Sequence, residues 1–204
     1  MKTNIPNISR KIYNDEILKI LQDKYSIVGP MWVTSQLEWI NSIYAAFKDH
    51  DKYLIIIYLI KKTLDFYSRN FIKLSYDEFY SKNTVEIEKF NIIEISNSLN
   101  IPKESTRRKV IELENDGIIK RFKKKIIVDR SSFSFIKPTN SLKRISRFLS
   151  VLTEMLVREK ILLKPLSSDE VEKVIKDNFS YVWKVYYELQ IPMILSYKKV
   201  FGDI

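Results

Sequence analysis

Cysteine is absent from this chain, and histidine occurs only once. Without cysteine the chain forms neither disulfides nor thiolate metal sites, and a zinc site would need carboxylates almost exclusively. The three glycines form no phosphate-binding loop, and no Gly-x-Ser-x-Gly nucleophile motif occurs. The single histidine, His50, stands between two acids at a predicted helix junction. The sequence therefore predicts no enzyme, no cofactor and no metal site.

Long hydrophobic runs are also missing. The longest, Tyr53 to Ile60, is far too short to span a bilayer, and no secretory signal precedes the first polar residues. The 204 residues are 45% hydrophobic and 29% charged, an ordinary globular composition for one compact domain or two small ones. We expect a cytoplasmic protein with no membrane partner.

Positive charge is abundant and unevenly distributed. The net charge is +10. Residues 103–130 hold ten Lys and Arg against five Asp and Glu, so this segment has a net charge of +5, half of the total. An AT-rich genome, indicated by abundant Ile, Lys and Asn and scarce Gly, could inflate the total but explains the clustering poorly. Positive charge concentrated in one segment is typical of phosphate binding.

Residues 91–129 predict two short helices and a β-hairpin. Asn91 is a good N-cap for the first helix, and Asn100 tolerates the left-handed backbone of a tight turn before Pro102. One face of the first helix is apolar and the other is predicted to face water: Ile92, Ile93, Ile95 and Leu99 against Glu94, Ser96 and Asn97.

The second helix, about residues 102–116, has an unusual charge order. Thr106, Val110 and Leu113 form a narrow inward stripe, the cations come in the first two turns and the acids come late. This order opposes the helix dipole at both ends, so we infer that the cations meet an anionic partner. Gly117 ends the helix at a positive φ, and a hairpin over 118–128 with a Lys123–Lys125 tip follows.

The run Lys103-Glu104-Ser105-Thr106-Arg107-Arg108 resembles the start of the recognition helix of bacterial winged helix-turn-helix transcription regulators. The nearest pattern is the Crp–Fnr type, Arg-Glu-Thr-Val-x-Arg, and MarR-type regulators are next. The resemblance covers roughly a fifth of the chain, residues 92–128. It implies that Lys103, Glu104 and Arg108 read base edges and that Arg107 and Lys109 lie near phosphates. Lysine at the first position lacks the planar fork that grips guanine.

The resemblance does not extend upstream, where no glycine-punctuated β-roll for a cyclic nucleotide occurs. Helical spacing there and downstream predicts helices at about 14–24, 34–48, 51–67, 75–80, 142–158 and 168–189, with an edge strand at 84–88. Ser-x-x-Glu capping boxes are predicted at Ser75–Glu78 and Ser167–Glu170. Gly29-Pro30 and Pro192 are predicted to end helices, and Asp51 to cap the third one. Leu142, Ile145, Leu149, Leu152 and Leu156 form a heptad-like seam.

The predicted fold class is mainly α: a winged helix-turn-helix with a small β-hairpin wing, flanked by N- and C-terminal helices. Three regions are expected: an N-terminal helical region (1–50), a winged helix-turn-helix domain (51–138) and a C-terminal dimerisation region (139–204). The leucine seam has two interpretations, intramolecular core or dimer interface. The second is favoured because helix-turn-helix modules bind paired half-sites.

The predicted function is sequence-specific binding of double-stranded DNA by a homodimeric transcription regulator. The recognition helix (102–116) would lie in the major groove and the wing (118–128) on the backbone. The predicted DNA-binding residues are Lys103, Glu104, Ser105, Arg107, Arg108, Lys109, Arg121, Lys123, Lys124 and Lys125.

Two alternatives share this fold: a winged-helix adaptor that binds protein without specific DNA recognition, and a plasmid or phage replication initiator acting at iterated sites. A small-molecule effector is a further interpretation of the aromatic residues, which could line a pocket. They are mostly predicted to be core and interface: Trp32, Trp39, Tyr44, Tyr53, Trp183, Tyr186 and Tyr187.

Overall fold

The computed structural model describes residues 11–81, 83–87, 91–123, 125–129 and 138–202. The protein is mainly helical with a small three-stranded antiparallel sheet. The helices are α1 (Asn14–Asp23), α2 (Tyr25–Phe47), α3 (His50–Arg69), α4 (Tyr76–Tyr80), α5 (Ile92–Leu99), α6 (Lys103–Asn115), α7 (Thr139–Arg158), α8 (Ser168–Asp177) and α9 (Phe179–Phe201). The strands are β1 (Thr84–Ile87), β2 (Ile119–Phe122) and β3 (Lys125–Asp129). No helix in these ranges has the length and apolar character needed to cross a membrane.

The chain divides into two compact units. The first takes residues 1–42 and 138–177, and the second takes 43–137 and 178–204. The sequence analysis groups α9 with α7 and α8, whereas the structure packs it against α3 within the second unit. Ion pairs join these two helices, Lys198 to Asp51 and Lys184 to Asp65.

In the first unit, the leucine seam of α7 contributes to a core. Leu156 is buried in one cluster with Ile20 of α1 and Val28 of α2, and Leu152 packs against that cluster. Leu142 is also buried. The described structure thus gives these leucines the intramolecular role that the sequence left as one of two interpretations.

Two of the predicted helix ends are wrong. Gly29-Pro30 lies inside α2 and Pro192 lies inside α9, although each proline removes one backbone hydrogen bond. Around Pro192, the buried side chains of Ile191 and Ile194 keep the helix in place, because tertiary packing outweighs local propensity. The first helix ends at Lys24 as predicted, and Gly29 lies within α2, where it leaves room for the Tyr25 ring, which a Cβ would meet at 2.8 Å.

Other helix limits also differ from the prediction. The helix predicted over 168–189 divides at Asn178 into α8 and α9, whereas the Ser167–Glu170 capping box is formed as expected. Asp49, not Asp51, caps α3, since its carboxylate accepts the backbone N–H of Lys52 at 3.0 Å.

The second unit is built around α3, whose helical assignment is confirmed. Leu54, Ile55, Ile57 and Leu64 are almost completely buried. The sheet has the order β1-β3-β2, so β1 is an edge strand as predicted. Val85 of β1 and Ile119 of β2 both pair with Val128 of β3, and all three are buried on one face.

The turn between α5 and α6 matches the sequence closely. Asn91 caps α5 by accepting the N–H of Ile93 at 2.9 Å, and Asn100 is left-handed at φ +50°. Ser96 and Glu94, however, do not simply face water. Ser96 is buried and donates to the carbonyl of Ile101 at 2.7 Å, which ties the helix to the turn.

Glu94 anchors α5 to α3. Its carboxylate accepts hydrogen bonds from Tyr58 at 2.9 Å and from Lys62 at 2.7 Å. The hydrogen bond from Lys62 holds the pKa of Glu94 below its usual value. The packing of α5 on α3 therefore fixes where α6 begins.

Candidate nucleic-acid interface

Helix α6 turns a narrow apolar stripe inward and the rest of its surface outward. Thr106, Val110 and Leu113 are fully buried, as predicted. The Thr106 hydroxyl also donates to the carbonyls of Ile101 and Pro102, at 3.3 and 3.2 Å. Because this stripe fixes which side of α6 meets the core, most of the remaining positions in the first two turns face away from the core.

The exposed positions at the amino end of α6 carry the predicted cations. Lys103 is exposed and has no ion pair with any residue that the structure describes. Arg107 donates to Glu104 at 2.9 Å, and the Nε of Arg108 lies 3.7 Å from Glu112. The two arginine side chains are 55% and 67% exposed, so these contacts contribute only about 0.3–0.5 kcal/mol each and are readily exchanged for a ligand.

Lys109 has different surroundings from the other cations of α6. Its ammonium contacts the carboxylate of Asp49 and lies 3.4 Å from that of Glu112, and its side chain is only 16% exposed. Partial burial alone would lower the pKa of Lys109, but the hydrogen bond and charge of Asp49 raise it above the usual value. Lys109 therefore joins α6 to the cap of α3, a structural role that the sequence does not reveal.

The late acids of α6 also have structural partners. Lys52 of α3 lies 3.2 Å from Glu112 and 3.0 Å from Asp116. Burial alone would lower the pKa of Lys52, but these two carboxylates raise it. Tertiary ion pairs thus account for the acids at the carboxyl end of α6. The cations at its amino end are not explained in this way.

In the hairpin, two of the predicted contact residues are paired within the unit. Arg121 donates to Glu114 at 2.8 Å through Nε, and this hydrogen bond lowers the pKa of Glu114. Lys125 forms an ion pair with Glu86 of β1.

Lys123, at the hairpin tip, is exposed with a left-handed backbone (φ +56°), and its ammonium lies 5.5 Å from the centre of the Phe122 ring. Lys124, also predicted as a contact, lies outside the described residues.

The structure thus brings one group of predicted residues together and separates off another. Lys103, Glu104, Ser105, Arg107 and Arg108 occupy the first two turns of α6, and Ser105 is half-buried. Lys109, Arg121 and Lys125 are paired with Asp49, Glu114 and Glu86. The pairs Lys109–Asp49 and Lys125–Glu86 could not be predicted from sequence spacing, because each joins residues far apart in the chain.

Metal ligands do not gather at this surface. Across the described ranges, no group of three or more His, Asp or Glu side chains is placed to hold a metal ion. The aromatic residues largely pack on one another: Trp183 lies 5.0 Å from the ring of Phe179, which in turn lies 5.3 Å from Phe79 of α4.

No protein-family model matches the chain, and no similarity to a curated protein or to a solved structure is found.

Proposed function

We propose that this chain is a sequence-specific, double-stranded DNA-binding transcription regulator whose second unit contains a winged helix-turn-helix. In this proposal α5 and α6 are the helix-turn-helix and β2–β3 is the wing. The chain order α3, β1, α5, α6, β2, β3, with β1 paired to β3, supports this assignment. Such a regulator acts at the genome, which places it in the cytoplasm of a bacterium.

The observation that carries the proposal is the outward amino end of α6. Lys103, Arg107 and Arg108 are exposed there and have at most weak partners among the described residues, although cations at this end oppose the helix dipole. Three unpaired or weakly paired cations on two turns repel one another. A polyanion is the partner that converts this repulsion into binding energy.

The recognition helix would enter the major groove by its amino end. In the groove Arg108 can donate to guanine and Glu104 can accept from the amino group of cytosine. Lys103 can donate to a base edge as a single point charge. In this proposal Arg107 and Lys123 contact phosphates on either side. Lys109, Arg121 and Lys125 act indirectly in this account, by holding α6 and the hairpin in place.

The test is the salt dependence of binding to a fluorescently labelled duplex, measured by anisotropy. Neutralisation of ~6 phosphates per dimer gives a slope of log K against log salt of about −5. Replacement of Lys103, Arg107 and Arg108 together by Gln should make the slope shallower by about 1.8, because the dimer loses the two phosphate contacts of Arg107, and should also remove the base contacts. The matched control replaces Lys19, Lys143 and Lys173 of the first unit by Gln and should preserve the slope. Equal slopes for the two triple variants would refute this face as the binding surface.

A homodimer is part of the proposal, because helix-turn-helix modules bind half-sites about one DNA turn apart. In the α7 seam Leu142 and Leu156 are buried and Leu152 packs on the core of the first unit, so we assign the dimer contact to α2. Val33 and Leu37 are exposed and Ile40 is half-buried, at steps of four and three residues. Glu38 is the one charged residue of α2, so the helix offers an apolar surface to a second copy.

The same α2 face is the observation that favours a second candidate, a winged-helix adaptor that binds another protein. An adaptor would need no counterion release from DNA. Its binding to random duplex would therefore be weak, and the triple Gln variant would behave like the wild-type protein.

A further inference from the structure

A cleft of about 840 Å³ opens in the second unit beside the amino end of α6. Three segments line it: the junction 48–51 before and at the start of α3, the turn and first part of α6 from residue 99 to 109, and the last turns of α9 from residue 195 to 199. Its lining has five basic side chains and two acidic ones: Lys48, Arg108, Lys109, Lys198 and Lys199 against Asp49 and Asp51. The cleft therefore has an excess of three positive charges.

The two acids are already neutralised. Asp49 pairs with Lys109, and Asp51 pairs with Lys198. The excess charge thus lies on Lys48, Arg108 and Lys199, all of them exposed. Each comes from a different part of the fold, so the charge of the cleft is not a consequence of one lysine-rich stretch.

The backbone at the start of α6 adds to this positive potential. The cap residue is Pro102, and no side chain in the described ranges caps the first turn of α6. The N–H groups of that turn have no acceptor within the helix and carry the positive end of its dipole. Pro102 and Ser105 line the cleft, so the start of α6 lies at its wall.

The cleft is also continuous with the proposed DNA-binding surface. Arg108 and Ser105 belong both to its lining and to the first two turns of α6. A polyanion that lies along the amino end of α6 would therefore pass the cleft, whose lining includes Lys48 and Lys199.

We propose that this cleft binds backbone phosphates of the duplex that α6 reads, through Lys48, Lys199 and the first-turn N–H groups of α6. This inference rests on the proposed function and extends it, because α9 and the junction before α3 lie outside the helix-turn-helix and the hairpin. The contact would lengthen the footprint of each subunit and add affinity for every sequence equally.

Lys48 allows a variant that separates charge from folding. Its backbone is left-handed, with φ +52°, a conformation that glycine adopts more easily than lysine. Lys48→Gly should therefore fold at least as well as the wild-type protein. Lys199 is exposed near the carboxyl end of α9, where Lys199→Gln removes the charge and keeps a long polar side chain.

The experiment compares the Lys48→Gly, Lys199→Gln double variant with the wild-type protein on the same labelled duplex. Loss of two phosphate contacts makes the salt slope shallower by about 1.8 per subunit and shortens the hydroxyl-radical footprint. The preference among duplex sequences stays unchanged. The control is Lys160→Gly, which makes the same change at nearly the same φ, +57°, in the first unit, and it should preserve slope and footprint.

Two outcomes overturn the inference and leave the proposed function standing. In the first, the wild-type protein binds DNA and the double variant has the same slope and footprint. In the second, calorimetry with inorganic phosphate shows saturable binding that the double variant loses, with an unchanged DNA slope; the cleft would then hold a free phosphate-bearing ligand. Failure of the wild-type protein to bind any duplex would instead refute the proposed function itself.

Discussion

Arg108 and Lys109 are neighbours in the chain and have the same charge, but their surroundings differ. Arg108 is exposed beside Glu112, whereas Lys109 is largely buried between Glu112 and the cap of α3. The sequence predicts both as DNA contacts, because a list of cations does not show which of them an acid elsewhere in the chain already holds.

Removal of these two side chains should affect different properties, stability for Lys109 and DNA sequence discrimination for Arg108. Lys109→Ala leaves the carboxylate of Asp49 without its ion-pair partner, so we expect the free energy of unfolding to fall by about 1–2 kcal/mol, measured by urea denaturation. Arg108→Ala should change it by less than about 0.5 kcal/mol and should instead reduce discrimination at one base pair by about 1–3 kcal/mol. Equal loss of stability in the two variants would contradict the structural role of Lys109.

The stability difference for Lys109→Ala should also depend on pH. Partial burial alone would raise the pKa of Asp49, but hydrogen bonds from Lys109 and from the Lys52 backbone lower it below 3.8. A carboxyl with a lowered pKa stabilises the fold above its unfolded value, and this contribution disappears as the pH falls through the folded value. The two proteins should therefore converge below pH 3.8.

Local signals are what the sequence predicts best at this scale. Asn91 as a cap, Asn100 as a left-handed residue and Gly117 as a helix-ending residue with φ +72° all depend on neighbours within a few positions, and all are confirmed. The buried Ser96 and the pair of Lys109 with Asp49 depend on tertiary packing, which no local pattern reports.

At the scale of elements, helix continuity was the least predictable feature. Local propensity places helix ends at Gly29-Pro30 and Pro192, but α2 and α9 continue through both. Each is a long helix held by packing, and burial of several apolar side chains outweighs the roughly 3 kcal/mol that an interior proline costs. The capping boxes and the edge strand were predicted correctly, since their signals are local.

The hairpin between β2 and β3 offers a second test of charge against conformation. Phe122 pairs with Lys125 in a tight hairpin, and Lys123, the residue after β2, has φ +56°, a conformation that asparagine or glycine adopts more easily than lysine. Lys123→Gly should leave the free energy of unfolding unchanged or raise it by up to about 1 kcal/mol. It should also weaken binding to all duplexes alike and make the salt slope shallower by about 0.9 per subunit, or about 1.8 for the dimer.

Thermal unfolding and duplex anisotropy check the two parts of this prediction. Lys123→Arg keeps the charge and should bind like the wild-type protein. If Lys123→Gly binds every duplex with wild-type affinity, the tip does not contact phosphate. If it unfolds more easily, the lysine side chain has a structural role instead.

At the scale of the whole molecule, dimerisation assigned to α2 is open to direct measurement. Leu37 is 54% exposed within the proposed contact, so Leu37→Asp should leave the fold intact and place two charges in the interface. Analytical ultracentrifugation at micromolar concentration should find dimer for the wild-type protein and monomer for this variant. Leu163→Asp, at a position that is 64% exposed and outside α2, is the matched control and should remain dimeric. A monomeric wild-type protein would exclude the dimer.

The account depends most on sequence-specific recognition of DNA by the amino end of α6. Selection of bound duplexes from a random pool tests this directly, with the wild-type protein and Arg108→Ala compared in parallel. The account predicts that the wild-type protein enriches a palindrome with half-sites about one helical turn apart, and that Arg108→Ala loses preference at one symmetric position. Direct repeats would point to an initiator, and a pool without enrichment would contradict the claim.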